Sequence, residues 1–386
     1  MEKLILVIAI SILFGIVASY YTSRIKFPTL TGLILIGVIL SFVLNPTFIS
    51  KQYQNFFSLT VELSASLLLL ETGFESIYLR RDKKVLISGI IQSVISYVIT
   101  FLLIKPIFKI SSVEALVVST AFMITGSDVA ITFIKQLNIL PIDKIKLGTL
   151  VVIDDLIAEI FFFLFLPLLK FKVSSTSHTE ILLNASLEIL LSIIIGLLIG
   201  YIFSKMLTHL PYVKPNITTG ITILLFTVGI SAMLNIHSIM VALLAGITMS
   251  RTNNLEITKK LRASLMEIDS ILYTLFVVFA IVLVGIPEIE ASLLYGTLAL
   301  GARFIGKSLS LFVIQKLNLL GRLKFRDILT SLLPQSILSG YFAYTSCKYI
   351  FSIPGNKIFA ITLASITIFE IAGYGLIRLS QTKQRL

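Results

Sequence analysis

The stretch from Gly148 to Pro167 reads Gly-Thr-Leu-Val-Val-Ile-Asp-Asp-Leu-Ile-Ala-Glu-Ile-Phe-Phe-Phe-Leu-Phe-Leu-Pro. With its flanks it is long and apolar enough to cross a bilayer as a helix, and Asp154 and Asp155 fall near its middle. For a helix that begins near Lys146, the pair lies roughly 12 Å along the axis. That is deep in hydrocarbon, where one charged Asp costs about 2.5–3.5 kcal/mol on insertion scales. Two in succession, about 100° apart around the axis, need buried basic partners or a ligand. Ionisable residues within a membrane mark functional sites by default. The pair is therefore read as a site that binds a small cation and carries protons.

Composition fixes the class around this stretch. Of 386 residues, 56% are hydrophobic and 13% charged, with a mean hydropathy of +0.99. Soluble domains do not reach that balance, so the chain is an all-α polytopic membrane protein. The start, from Met1 to Tyr21, is read as a retained first span rather than a cleaved signal. A lone Cys347 excludes a disulfide framework or a cysteine metal site. His178, His209 and His237 stand singly near span ends and are read as surface residues. The net charge of +12 sits in short loops, which membrane topology explains better than nucleic acid does.

Apolar periodicity gives thirteen spans, at about 3–20, 27–44, 59–79, 85–104, 113–137, 146–170, 181–207, 216–234, 237–250, 263–286, 291–318, 325–349 and 356–379. No long polar linker interrupts them, so residues 1–386 form a single membrane domain. Arg303 and Lys307 fall inside a span. Of the other basic residues, alternation places Lys3, Lys51, Lys105, Lys109, Lys170, Lys172, Lys348 and Lys357 on one face and the remainder on the other. The rich face is the cytoplasmic one by the positive-inside rule. This sets the N-terminus outside and the C-terminus inside a cell (inner) membrane. An odd count admits a 6+1+6 inverted repeat, in which spans five and twelve correspond. Both carry breaks: Thr125-Gly126-Ser127-Asp128 in one, Leu333-Pro334-Gln335-Ser336 with Ser339-Gly340 in the other. Crossed discontinuous helices with a site at the midplane are the plan of many secondary transporters.

Thr125, Ser127 and Asp128 offer oxygen ligands where the helix unwinds, and freed carbonyls there can add more. Asp154 and Asp155 supply further oxygens and the negative charge. A carboxylate that holds either a proton or a cation is the minimum machinery of exchange. Arg303 and Lys307 are i, i+4 on span eleven and share a face. Each needs an anionic partner, for which the aspartates are the obvious candidates. Lysine can give up its proton when desolvated and arginine effectively cannot. Lys307 is therefore read as a proton carrier or charge partner and Arg303 as a structural charge. Glu71, Glu75, Glu159 and Glu370 are weaker signals; Glu159, four residues past Asp155, is placed to face the same cavity.

These residues resemble the monovalent cation:proton antiporter superfamily, in particular its electrogenic paired-aspartate sodium/proton branch. Ile153-Asp154-Asp155-Leu156 is similar to its paired-aspartate motif, Thr125 to Ala130 to its unwound segment, and Ile305 to Leu309 to its lysine-bearing segment. Lys26 to Gly32, Leu70 to Glu75 and Ala242 to Gly246 resemble three further stretches, all in the expected order. The resemblance implies a homodimer with a dimerisation bundle and a moving core. Spans 3–5 and 10–12, about 59–137 and 263–349, contribute to these bundles together with spans 6 and 13. It implies Asp155 as the main cation carboxylate, Asp154 paired with Lys307 without sodium, and two protons exchanged per sodium by elevator-like motion. Pro334-Gln335-Ser336-Ile337 departs from the charged sequence of some branches, so no charge pair is expected there.

The function expected is exchange of sodium or lithium for protons by alternating access, with no cofactor and no enzymatic activity. The transported ions and the lipid bilayer are the partners. Potassium/proton exchange on the same scaffold is the nearest alternative. A sodium-coupled organic anion symporter needs free basic or amide groups for its substrate, and acids outnumber bases here. An intramembrane aspartyl protease leaves Asp154 and Lys307 unexplained.

Overall fold

The computed structural model describes residues 2–24, 29–43, 51–76, 82–137, 139–173, 178–210, 212, 214–347, 349–350 and 357–382. Within them the protein is all helical. Among the described residues, seven helices are long and apolar enough, by length and composition, to cross a membrane. The helices fall into two compact units.

The first unit holds α1 (Glu2–Arg24), α2 (Thr29–Val43), α3 (Lys51–Glu75), α8 (His178–His209), α9 (Ile217–Leu234), α10 (Ser238–Thr252) and α11 (Leu255–Val284), apart from the adjoining ends of α1 and α2. Its core joins Leu70 and Phe74 of α3, Ile199 and Phe203 of α8, Ile223 of α9, Val241 and Met249 of α10, and Leu261 of α11. The short α10 lies so close to α3 that a Cβ on Gly73 would stand 2.8 Å from Gly246 Cα. A Cβ on Gly200 of α8 would stand 2.6 Å from Ala245 O. Small residues let the backbones approach where lipid gives no hydrophobic drive between helices. Glu75, buried, pairs with Arg262 of α11.

The second unit holds α4 (Lys83–Phe108), α5 (Ser112–Met123), α6 (Ser127–Gln136), α7 (Pro141–Val173), α12 (Ile286–Lys316), α13 (Phe325–Leu332), α14 (Leu338–Cys347) and α15 (Lys357–Thr382). Asp82 caps α4 through Lys84 N at 3.0 Å. Ser111 and Glu114 form a capping box on α5. Pro141 opens α7 at the first helical position, where its missing N–H costs nothing, so this helix starts five residues before the predicted Lys146. On α12, a Cβ at Gly306 would stand 2.9 Å from both Ser96 O and Thr100 Oγ1, so α4 and α12 cross in contact there.

The predicted fifth and twelfth spans are each two helices, separated by Ile124–Gly126 and by Leu333–Ile337. The two breaks cross. Gly126 N donates to Pro334 O at 2.9 Å, and Thr125 and Gln335 form an antiparallel bridge. Backbone polar groups cannot be left bare at this depth, and the crossing satisfies them mutually. A Cβ on Gly126 would lie 3.1 Å from Gln335 O, so glycine keeps the strands close. Two expectations are corrected. Ser127 and Asp128 are not unwound: Gly126 takes the N-cap position and both belong to the first turn of α6. The second break ends before Leu338, so Ser339 and Gly340 are helical.

Candidate functional site

The site forms where α4, α7 and α12 meet the crossed breaks. Asp154 has no solvent exposure. Its Oδ2 accepts from Lys307 Nζ at 2.6 Å and from Thr125 Oγ1 at 2.6 Å. Its Oδ1 accepts from Ser93 Oγ at 2.9 Å. With the Gln92 amide oriented to match its neighbours, Nε2 donates to Asp154 Oδ1 at 3.1 Å and the oxygen accepts from Lys307 Nζ at 3.3 Å. Four donors fill the usual acceptor capacity of a carboxylate. Lys307 is likewise fully buried. Such a pair survives out of water only when its geometry is good and the remaining hydrogen-bond positions are filled; the carboxylate is fully satisfied, and the ammonium donates to Asp154 and Gln92.

Asp155, the next residue on α7, is 1% exposed, turned about 100° from Asp154 around the helix. Ser127 is half-buried at the start of α6. The Asp128 side chain, like that of Glu370, lies outside the described residues.

Arg303 departs from expectation. Its hydrogen bonds do not go to the aspartates. Nη1 donates to Phe122 O at 2.8 Å and Met123 O at 2.6 Å; Nε donates to Leu333 O at 3.1 Å; Nη2 donates to Leu332 O at 3.0 Å and Pro334 O at 2.8 Å. The reason is electrostatic. The C-terminal ends of α5 and α13 meet at the crossing, each with unpaired carbonyls and partial negative charge. A planar guanidinium with five N–H donors caps both at once. The carbonyls freed at these helix ends thus serve Arg303, contrary to the expectation that they are open to a cation. Nη2 also donates to Thr125 Oγ1 at 3.2 Å, so Thr125 links the fixed charge to Asp154.

Gln335 takes part through neutral bonds: its Nε2 donates to Ser339 Oγ at 3.2 Å and its Oε1 accepts from Ser365 Oγ at 2.9 Å. Gln92 and Ser93 were not singled out from the sequence. The available signal was Ser88, Gln92, Ser96 and Thr100 at i, i+4 spacing on an otherwise apolar span; all four are fully buried.

A buried lysine–aspartate pair beside two crossed helix breaks defines a membrane transport protein rather than an enzyme. The family profile described as "Sodium/hydrogen exchanger, transmembrane" matches residues 8–379, so the chain belongs to that family of cation/proton antiporters, within the monovalent cation:proton antiporter superfamily. Two solved structures share the fold. The structure of the sodium proton antiporter MjNhaP1 from Methanocaldococcus jannaschii at pH 8 aligns with a TM-score of 0.76 and 17% identity, over 98% of this chain and 99% of that one. An electron-microscopy structure of the same antiporter gives 0.68 and 16%, over 99% and 96%. No curated protein sequence matches this chain.

Proposed function

We propose that this antiporter exchanges sodium or lithium for protons, electrogenically, with cation and protons competing for Asp154 and Asp155. The observation that carries the reading is the Lys307–Asp154 pair, at 2.6 Å and without solvent exposure on either side. Asp154 already accepts four donors, so a cation gains its oxygens only by displacing one. Lys307 is the displaceable charge, because the cation takes over its electrostatic role. Displaced, a desolvated lysine sheds its proton readily. With a proton from Asp155 as well, two protons leave for each cation bound.

Thr125 Oγ1, beside Asp154, is a further oxygen ligand for a hard monovalent ion. Arg303 stays charged and holds the crossing. In this reading the second unit is the moving core and the first unit serves the homodimer. The halves form a 6+1+6 inverted repeat, with α5–α6 matched to α13–α14. The basic loops set the N-terminus outside and the C-terminus in the cytoplasm of an inner membrane. The test is a pH gradient across proteoliposomes titrated with sodium, lithium and potassium. Sodium and lithium are expected to dissipate it at lower concentration than potassium. Dissipation by potassium alone would make this a potassium/proton exchanger.

A further inference from the structure

Glu159 is an acid that the exchange described above does not use. It lies on α7 one turn past Asp155, on the same face, with no solvent exposure. Among the described residues neither of its carboxylate oxygens has a hydrogen-bond partner. Phe162, one turn further on that face, stacks on Phe342 of α14 with ring centroids 4.0 Å apart. A buried acid retained for structure is paired; this one is not, and the cost of leaving it bare reads as function.

A second bare polar group lies on α5, which packs against α7. Thr125 of the α5–α6 break bonds Asp154. Nearer the start of α5, Leu116 O accepts from Tyr97, whose ring packs on Phe161 and Phe165 of α7. Ser119 lies on α5 between these two points. The Ser119 hydroxyl is fully buried and also lacks a hydrogen-bond partner among the described residues.

We infer that Glu159 is a second monovalent-cation site, which holds the ion as it passes between Asp155 and the membrane face reached by the C-terminal end of α7. The inference rests on the exchange reading above and adds a one-sided waypoint to it. A buried carboxylate whose oxygens accept no donor among the described residues suits a hard monovalent ion. The spacing of one helical turn, roughly 5.4 Å, allows the ion to be handed on to Asp155 in one short step.

The test uses proteoliposomes of fixed protein orientation, with sodium varied on one face at a time. Failure of sodium, lithium and potassium to drive any wild-type proton flux refutes the exchange reading and this inference with it. With wild-type exchange present, Glu159→Gln is expected to raise the apparent KM for sodium about tenfold from the face reached by the α7 C-terminus, and less than about twofold from the other. An unchanged KM on both faces overturns the inference, because glutamine copies the neutral acid and a structural group tolerates it. An equal rise on both faces, or loss of exchange in a folded protein, also overturns it, since Glu159 then belongs to the shared site. If Glu159→Gln does not fold, Glu159→Asp, one methylene shorter, is expected to give a one-sided rise of about threefold. Equal behaviour on both faces there counts against the site.

Discussion

Lys307 Nζ and Asp154 Oδ2 stand 2.6 Å apart with neither side chain exposed. Removing one member of such a pair leaves an uncompensated buried charge, at a cost of about 3–5 kcal/mol. Lys307→Gln is expected to lower the melting temperature of the purified protein. In proteoliposomes with a clamped membrane potential, it is also expected to reduce the response of sodium-driven proton flux to potential. A wild-type flux indifferent to potential would instead point to one proton per cation.

Arg303→Gln is expected to act on stability first. The guanidinium bonds five backbone carbonyls at the crossing; Pro334 O keeps Gly126 N and Leu332 O keeps Thr125 Oγ1 as donors, and each of the others left without a donor costs about 1–3 kcal/mol. Arg303→Lys recovers the charge but not the five-donor fork, so it is expected to recover little. Thermal unfolding of the three proteins measures this. If Arg303→Gln kept wild-type stability and lost potential dependence, the roles of Arg303 and Lys307 would be exchanged.

Gly126 sets how closely the two breaks approach. A Cβ there lies 3.1 Å from Gln335 O and 3.3 Å from Ser336 Cα, and its φ of −75° suits any residue, so the constraint is space alone. Gly126→Ala is expected to keep most of the exchange, and Gly126→Val to abolish it. Equal activity of the two would mean the crossing loosens at no cost.

Gln92→Leu removes a donor to Asp154 and an acceptor for Lys307. Either of these two hydrogen bonds to a charged group is worth about 1.5–3 kcal/mol, which predicts exchange slower by about tenfold or more, with the protein still folded. Initial rates under saturating sodium measure it. A wild-type rate would remove Gln92 from the site.

Asp154, Thr125 and Lys307, which the structure brings together, were legible in the sequence because an ion or a Thr-Gly step in an apolar span is conspicuous on its own. Gln92 and Ser93 were not: serine and glutamine in an apolar helix draw little notice until their partners are known. The role of Arg303 was hidden for a different reason. Its partners are backbone carbonyls, which every residue carries, and nothing in the letters says that two helix ends will converge on one side chain. The break was placed correctly and drawn too long, since Ser127 and Asp128 suit both an unwound ligand segment and the first turn of a helix. The close contact of Gly73 with Gly246 required the paired backbones before its meaning was visible.

The central claim is that cation and proton compete for the same carboxylates. It is tested most directly by the apparent KM for sodium in proteoliposomes, measured across about two pH units on the acid side of half-maximal activity, for wild type and Asp155→Asn. In wild type the KM is expected to rise about tenfold or more for each pH unit of acidification, with the maximal rate little changed, while Asp155→Asn folds and shows neither sodium binding nor exchange. A wild-type KM that does not move with pH, or sodium-dependent proton flux near wild type in Asp155→Asn, would contradict the account.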